Sequence, residues 1–214
     1  VWGNGFLAKW GFVDFAGGTV IHTTAGFAAL ASIIVLGKRK LKQAGMKPSN
    51  LMAAAIGTGL LWFGWFGFNS GGALKAGALS TKAFANTAIG LASGMIVWVL
   101  YAKFVRGKAN FIDVLTGSVA GLATITPCAG YISPAAAVLV GLAAGIICNV
   151  AVSLQEKIGW DDALGVWGVH GIGGFTGTIL IGILADKTVN GVAASGHRFL
   201  IQAGGVILVA AYSF

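Results

Sequence analysis

The sequence predicts an all-α integral membrane protein with about seven transmembrane helices. Of its 214 residues, 57% are apolar and only 9% are charged, a composition typical of membrane proteins. The apolar residues occur in runs near the roughly 20 residues that cross a hydrocarbon core of about 30 Å. Glycine contributes 35 residues, which in lipid allow helix backbones to approach closely.

The predicted spans follow the apolar runs, which short polar patches separate. The last run has only 16 residues beyond Arg198, which is short of a full crossing, and the chain begins with Val1 and no signal peptide. We therefore expect residues 1–214 to be a single, partial transmembrane domain. The predicted spans are 14–37, 51–74, 83–104, 111–127, 134–153, 162–185 and 199–214.

The net charge of +8 could indicate a nucleic-acid partner, but the basic residues lie in loops between the spans and not along one soluble face. The positive-inside rule accounts for them better. We therefore predict no nucleic-acid partner, with Val1 outside and the loop from Lys38 to Lys47 in the cytoplasm. The nine residues assigned to the cytoplasmic side are Lys38, Arg39, Lys40, Lys42, Lys47, Lys103, Arg106, Lys108 and Lys157, and the other five are Lys9, Lys75, Lys82, Lys187 and Arg198.

The two cysteines, Cys128 and Cys148, fall near opposite faces of the membrane in this topology. A disulfide requires Cα atoms within about 7 Å of each other, so we predict that both thiols are inert packing groups. The sequence has no zinc-ligand spacing, Walker loop or Rossmann fingerprint. We therefore expect no cofactor, no metal ion and no enzymatic activity.

Two stretches repeat one spacing between an acid and a histidine. His22 follows Asp14 by eight residues, and His170 follows Asp162 by eight residues, on spans predicted to run in opposite directions. At 1.5 Å per residue each histidine lies about 12 Å inside its span, close to the midplane. This is the pattern expected of inverted repeats, whose functional site lies at the repeat interface.

Each histidine could also be a packing residue that donates to a nearby carbonyl group. Ionisable side chains within a bilayer are costly, however, and two at one depth indicate a pathway or a cofactor. Paired histidines can ligate a b-type haem, or they can line a narrow pore and offer hydrogen bonds to a small polar molecule. The glycines after His22 and His170 favour the pore. Asp161 and Asp162 are predicted to cap the N-terminus of the sixth span, and Asp14 has the same alternative for the first.

Aromatic residues precede the first span and crowd the second. An interfacial belt explains most of them, whereas an indole face that holds a cation is the alternative for the first segment. Phe68 is expected in the outer half of the second span, where stacked rings could close a pore. The aromatic residues of the first segment are Trp2, Phe6, Trp10, Phe12 and Phe15.

The stretches "DFAGGTVIH", "WFGFNSGG", "TPCAGYISP" and "DDALGVWGVHGIGG" together resemble the ammonium transporter family, Amt/Mep/Rh. The resemblance covers essentially the whole chain, in the family's order. It implies a fold of about eleven spans in two inverted repeats, of which this chain corresponds to spans five to eleven. It also implies a trimer with a pore in each subunit.

The resemblance assigns roles to individual positions. His22 and His170 match the twin histidines that line the family's pore, and Asp14 matches the acid that organises the external recruitment site. Trp2 matches the tryptophan of the cation–π cup, and Ala16 the residue whose carbonyl oxygen faces the ion. Within "WFGFNSGG", the matches are a pore-side indole, Trp65, and the inner ring of the phenylalanine gate, Phe68.

The chain departs from the family pattern at three places. Gly72 stands where several members have a recruitment-site serine, and Gly165 where the acidic signature often has a third aspartate. The outer ring of the phenylalanine gate belongs to a span that this chain does not contain.

The resemblance implies that ammonium gathers outside, loses its proton near the gate and crosses past the histidines as ammonia. The expected partners are ammonium or ammonia, the lipid bilayer, two further copies in a homotrimer and a PII-type regulatory protein on the cytoplasmic side. The expected location is the plasma membrane, in a multi-pass topology. The alternative function is a non-conducting ammonium sensor domain of a signalling protein, and a bis-histidine haem protein is the further alternative.

Overall fold

The computed structural model describes residues 1–39 and 49–214, and the described residues form helices without any strand. Lys40, Lys42 and Lys47, which contributed to the predicted orientation, lie outside the described residues. Helices α2 and α7 each begin with six residues of π-helix and continue as α-helix. The helices are α1 (Phe6–Lys9), α2 (Gly18–Leu36), α3 (Leu51–Gly71), α4 (Ala78–Val105), α5 (Phe111–Ile125), α6 (Pro134–Ile158), α7 (Val166–Leu184), α8 (Lys187–Asn190) and α9 (Gly196–Ser213).

Five of these helices, α2, α3, α4, α6 and α7, are long and apolar enough to cross a membrane. Helix α5 has 15 residues, fewer than a straight crossing needs. It lies in the centre of the bundle, and after Ile125 the chain continues through the buried, irregular segment 126–130. Pro127 in this segment cannot donate the backbone hydrogen bond that would continue the helix. The predicted fourth span, 111–127, is therefore an α-helix followed by a buried turn.

Helices α2 and α7 approach each other at glycines. A Cβ atom built on Gly26 would lie 2.1 Å from the Cα atom of Gly171. Such proximity is what small residues provide between membrane helices. It brings the N-terminal halves of the two helices together, and these halves carry the two histidines.

Side chains cap the free backbone N–H groups at the start of α5. Asn110 and Asp113 form a reciprocal capping box there, and Asp113 also pairs with Arg106 at the end of α4.

Both cysteines are free and fully buried, which agrees with a packing role.

Asp161 does not cap helix α7, contrary to the sequence prediction. Its carboxylate instead accepts from the backbone N–H group of Arg39, at 2.8 Å, and pairs with the Arg39 guanidinium group. Of the two predicted caps, only Asp162 accepts hydrogen bonds from the start of α7, and it lies one residue closer to the helix. The Arg39–Asp161 pair connects the chain after α2 to the loop before α7.

Candidate functional site

The carboxylate of Asp14 organises the start of α2. It accepts hydrogen bonds from four consecutive backbone N–H groups, at 2.7 to 3.2 Å. These groups belong to the end of the helix that has no internal partners, so the cap satisfies donors that would otherwise be buried and unpaired. The donors are Gly17, Gly18, Thr19 and Val20.

Asp162 plays the corresponding part in front of α7. It accepts from the N–H groups of Val166 and Trp167 at 3.0 and 2.9 Å. A glycine with positive φ precedes each helix, Gly17 at 113° and Gly165 at 62°. A residue with a side chain would be strained in this left-handed conformation.

Each histidine is the fifth residue of a π-helix. The two π-helices are Gly18–Thr23, which carries His22, and Val166–Gly171, which carries His170. A π-helix inside an α-helix is rare and is frequently found at functional sites. The repeated spacing in the sequence therefore corresponds to a repeated local structure: a capping acid, a left-handed glycine and a π-helix with histidine at the same position.

The two imidazole rings meet between α2 and α7. The Nδ1 atoms of His22 and His170 are 3.3 Å apart, within hydrogen-bonding distance. A bis-histidine haem requires iron and a porphyrin plane between the two ligating rings. The two rings instead contact each other directly, which favours the pore over the haem.

Thr126, in the buried turn after α5, holds the other side of the His22 ring. Its hydroxyl group donates to the carbonyl oxygen of Leu122 at 2.7 Å and accepts from the indole N–H group of Trp65 at 2.9 Å. The Nε2 atom of His22 lies 3.3 Å from the same hydroxyl oxygen. Because the hydroxyl proton points to Leu122, the oxygen can act only as an acceptor for His22.

This pattern favours one arrangement of protons on the two rings. If His22 donates through Nε2 to Thr126, its Nδ1 atom must accept from the Nδ1–H group of His170. The Nε2 atom of His170 then carries a lone pair. Two neutral imidazoles in different tautomers satisfy every hydrogen bond of the cluster.

Aromatic rings enclose the histidines on one side. Trp65 stacks on His22 and His170, with ring centroids 5.1 and 6.0 Å apart, and the Phe68 centroid lies 6.1 Å from that of His22. An apolar cavity of about 520 Å³ adjoins these rings. It is lined by Ile21, His22, Ala25, Leu60, Leu61, Gly64, Trp65, Phe68, Leu164, Val166 and His170.

The remaining predicted residues form a second group at the start of α2. The indole N–H group of Trp2 donates to the backbone carbonyl oxygen of Asp14 at 3.0 Å, and 54% of Trp2 is exposed. Ala16 is buried, and its carbonyl oxygen accepts no hydrogen bond from residues 1–39 or 49–214. The seven predicted site residues thus divide between a group at the start of α2, in which only Trp2 is exposed, and a group around the two histidines.

The whole chain, residues 1–214, matches the model of a family described as the Ammonium Transporter Family. The chain belongs to this family. It is 43% identical over 194 residues to the ammonium transporter Amt1 of Archaeoglobus fulgidus, covering 90% of this chain and 49% of that protein. The chain spans about half the length of the curated relatives it matches.

Solved structures of the family have the same fold. The crystal structure of Mep2 from Candida albicans superposes with a TM-score of 0.90 at 37% identity, covering 99% of this chain and 50% of that one. A structure described as a sensor Amt protein superposes with a TM-score of 0.89 at 34% identity, covering 100% of this chain and 56% of that one. The family is one of transporters and not of enzymes.

Two of the three departures from the family pattern, Gly72 and Gly165, fit the local geometry of this chain. A Cβ atom built on Gly72 would lie 2.6 Å from the carbonyl oxygen of Phe15, so a serine would require the backbone to shift. Gly165 has the positive φ described above, which favours glycine over aspartate. Both glycines therefore fit this chain's own backbone.

Sequence reasoning missed Thr126 and Gln202. Thr126 lies in the stretch "TPCAGYISP", which contributed to the family resemblance, but nothing in the stretch indicates a hydrogen bond to a histidine more than a hundred residues away. Gln202 is fully buried in α9, and its side chain bonds to Val13. An uncharged amide in a predicted span was the available signal, because such groups require buried partners.

Proposed function

We propose that this chain takes part in ammonium transport, and that ammonium nitrogen passes the His22–His170 pair as neutral ammonia. The observation that carries the proposal is the contact between the two imidazole rings beside an apolar cavity. The family membership supports the choice of substrate.

The electrostatics of the cavity favour a neutral permeant. The idealised transfer of an ammonium-sized cation from water to a low-dielectric interior costs about 20 kcal/mol. A cation–π contact with one aromatic ring returns only about 2 kcal/mol. The described lining of the cavity contains no carboxylate. A cation would therefore be strongly disfavoured beside His22, whereas ammonia has no net charge to desolvate.

The group at the start of α2, formed by Trp2, Asp14 and Ala16, is proposed as the recruitment site. The Ala16 carbonyl oxygen accepts no hydrogen bond from the described residues and can accept one from an ammonium N–H group, and the exposed indole of Trp2 offers a π face. Asp14 uses its carboxylate oxygens on the start of α2 and acts there as the organiser of the site. Recruitment of the cation and passage of the neutral molecule are thus assigned to different residues.

Loss of the proton is proposed to occur between these two groups, near Phe68, where ammonium transfers its proton to a water molecule on the outer side of the ring and leaves as ammonia. Beyond that ring, the Nε2 lone pair of His170 can accept a hydrogen bond from ammonia. A potassium ion has no proton to lose and would meet the full desolvation cost, so the same arrangement excludes it.

For the whole protein we propose a plasma-membrane location, with Val1 outside and the Lys38–Lys47 loop in the cytoplasm. We also propose a homotrimer and a PII-type cytoplasmic regulator. These proposals rest on the family resemblance and on the distribution of basic residues. Chemical cross-linking in membranes tests the trimer, and labelling of single cysteines introduced at Val1 and Lys47 tests the orientation.

The experiment for the histidines uses the complete reading frame that encodes this chain. Cells that express His22→Ala or His170→Ala are assayed for uptake of radiolabelled methylammonium, with ammonium and potassium as competitors. His197→Ala is the matched control, because His197 is exposed at the start of α9 and lies outside the cavity. We expect the two cavity variants to lose uptake or potassium discrimination and the control to keep both. Unchanged behaviour of both cavity variants would remove the imidazoles from the mechanism.

A further inference from the structure

The side chain of Gln202 binds the backbone of Val13. Its Oε1 atom accepts from the Val13 N–H group at 2.9 Å, and its Nε2 atom donates to the Val13 carbonyl oxygen at 2.8 Å. The same Nε2 group lies 3.2 Å from the carbonyl oxygen of Thr178 in α7. Val13 belongs to no helix, so the glutamine satisfies both of its backbone groups as a neighbouring strand would.

Two neighbours of Gln202 on the same face of α9 hold the preceding residues. Arg198, one turn earlier, donates to the carbonyl oxygen of Gly11. Gly205, about one turn later, leaves room for the ring of Phe12, which a Cβ atom at position 205 would meet at 2.3 Å. This face of α9 therefore contacts three consecutive residues of the segment in front of α2.

The segment leads directly into the proposed recruitment site. Asp14 follows Val13, its carbonyl oxygen accepts from Trp2, and its carboxylate holds the first residues of α2. A displacement of Val13 would therefore move both the indole and the carbonyl oxygen of Ala16. The described part of the chain provides no other side-chain hydrogen bond to the backbone of Val13.

We propose that Gln202 is a positioning residue for ammonium recruitment, acting through Val13 and not by touching the ion. This inference rests on the proposed function. It assigns to α9 the role of holding the segment that leads into the proposed recruitment site, a role that neither the histidines nor the aromatic rings have. The expected signature is a weaker apparent affinity for ammonium with little change in the maximal rate, because the histidine pair is left in place.

The test compares Gln202→Met with wild type, using the complete reading frame in proteoliposomes. Methionine preserves the length of the side chain and removes both hydrogen-bonding atoms. Gln155→Met is the matched control: Gln155 is also buried, but its side-chain oxygen has no hydrogen-bond partner among the described residues. Uptake is measured against ammonium concentration and normalised to the amount of folded protein.

We expect Gln202→Met to raise KM about tenfold, since both hydrogen bonds to Val13 are lost together with the one to Thr178, and to change the maximal rate by less than about twofold. Gln155→Met should leave KM unchanged. An unchanged KM in Gln202→Met, or a lower maximal rate with an unchanged KM, would overturn the proposal. If Gln202→Met does not fold, Gln202→Glu decides, because it keeps the oxygen that accepts from Val13. Its KM should also rise, by a smaller factor, and a wild-type KM would overturn the proposal.

A second measurement separates this inference from the proposed function. Hydrogen exchange by mass spectrometry reports on the peptides that contain residues 11–20 and 166–171. Gln202→Met should accelerate exchange in the first peptide and not in the second, and equal rates for wild type and variant in both would overturn the positioning role. If the wild-type protein takes up no ammonium, the proposed function is contradicted. The hydrogen-exchange result still tests, independently, whether Gln202 holds the segment in front of α2.

Discussion

His22 and His170 contact each other through their Nδ1 atoms at 3.3 Å, although 148 residues separate them in the chain. Two like side chains that share a hydrogen bond cannot both donate, so the pair needs one donor and one acceptor. The Thr126 hydroxyl group determines which is which, because its own proton is directed to Leu122. The proton positions on two histidines thus depend on one threonine in the buried turn after α5.

Thr126→Val tests this dependence. Valine keeps the shape of the side chain but removes the oxygen that receives Trp65 and His22, leaving two buried donors unsatisfied. Each such group costs about 1–3 kcal/mol, so we expect a lower midpoint of thermal unfolding and slower uptake. Nitrogen-15 NMR of labelled histidine should also show a changed tautomer at His22. Thr124→Val is the control, since Thr124 is equally buried and bonds to the carbonyl group of Ala120. An unchanged His22 spectrum would contradict the assignment.

Gly26→Ala tests the closeness of α2 and α7. The added methyl group would lie 2.1 Å from the Cα atom of Gly171, so the helices must separate. Overpacking of this kind costs about 1–3 kcal/mol, and the histidine contact should lengthen with loss of uptake. Gly57→Ala is the control because nothing lies within 4 Å of its added Cβ atom. Equal uptake by both alanine variants would show that the glycine contact does not hold the pair together.

Asp14→Asn tests the cap of α2. The two oxygens of the carboxylate accept from four N–H groups, whereas the amide keeps only one acceptor oxygen. Hydrogen bonds to a charged group contribute about 1.5–3 kcal/mol each, so we expect a clear fall in the unfolding temperature and a loss of uptake. Asp186→Asn makes the same change at the cap of the short, exposed helix α8, where a single oxygen accepts from the Thr188 N–H group and the amide oxygen can replace it, so neither property should change appreciably. Wild-type unfolding of Asp14→Asn would argue against the organising role of this carboxylate.

The Arg39–Asp161 pair predicts a specific pH dependence. The hydrogen bonds from Arg39 lower the pKa of Asp161 well below its ordinary value of 3.8. A depressed pKa stabilises the folded state above the unfolded-state pKa, and this contribution is lost as the pH falls through the folded-state pKa. The pair should therefore persist at pH 3, where a carboxyl with the ordinary pKa would be mostly protonated. Hydrogen exchange at the Arg39 amide, corrected for its intrinsic rate, should stay slow down to that pH in wild type and be fast in Asp161→Asn. Opening of the pair between pH 5 and 3 would contradict the shift.

The sequence predicted the helical membrane fold and the equal depth of the two histidines for a local reason. Apolar runs reflect the thickness of the membrane, and the equal spacing from Asp14 to His22 and from Asp162 to His170 reflects a repeated cap and helix start. These features are determined by residues close together in the chain.

The features that the sequence did not predict depend on distant contacts. The π-helices in α2 and α7 cannot be recognised from the periodicity of the sequence. The partner of Asp161 proved to be Arg39, 122 residues away, and Gln202 reaches Val13 across 189 residues. Helix α5 can be shorter than a membrane span because neighbouring elements bury the turn that follows it, which no hydropathy average can report.

The most direct test of ammonia passage past His22 and His170 is a flux measurement in proteoliposomes that contain the complete protein. Ammonium and potassium fluxes are measured separately for wild type and for the His22→Ala/His170→Ala double variant. If nitrogen passes the pair as a neutral molecule, wild type carries ammonium without potassium, and the double variant loses either the ammonium flux or the exclusion of potassium. Potassium flux through wild type, or equal ammonium flux and equal selectivity in both proteins, would contradict this mechanism.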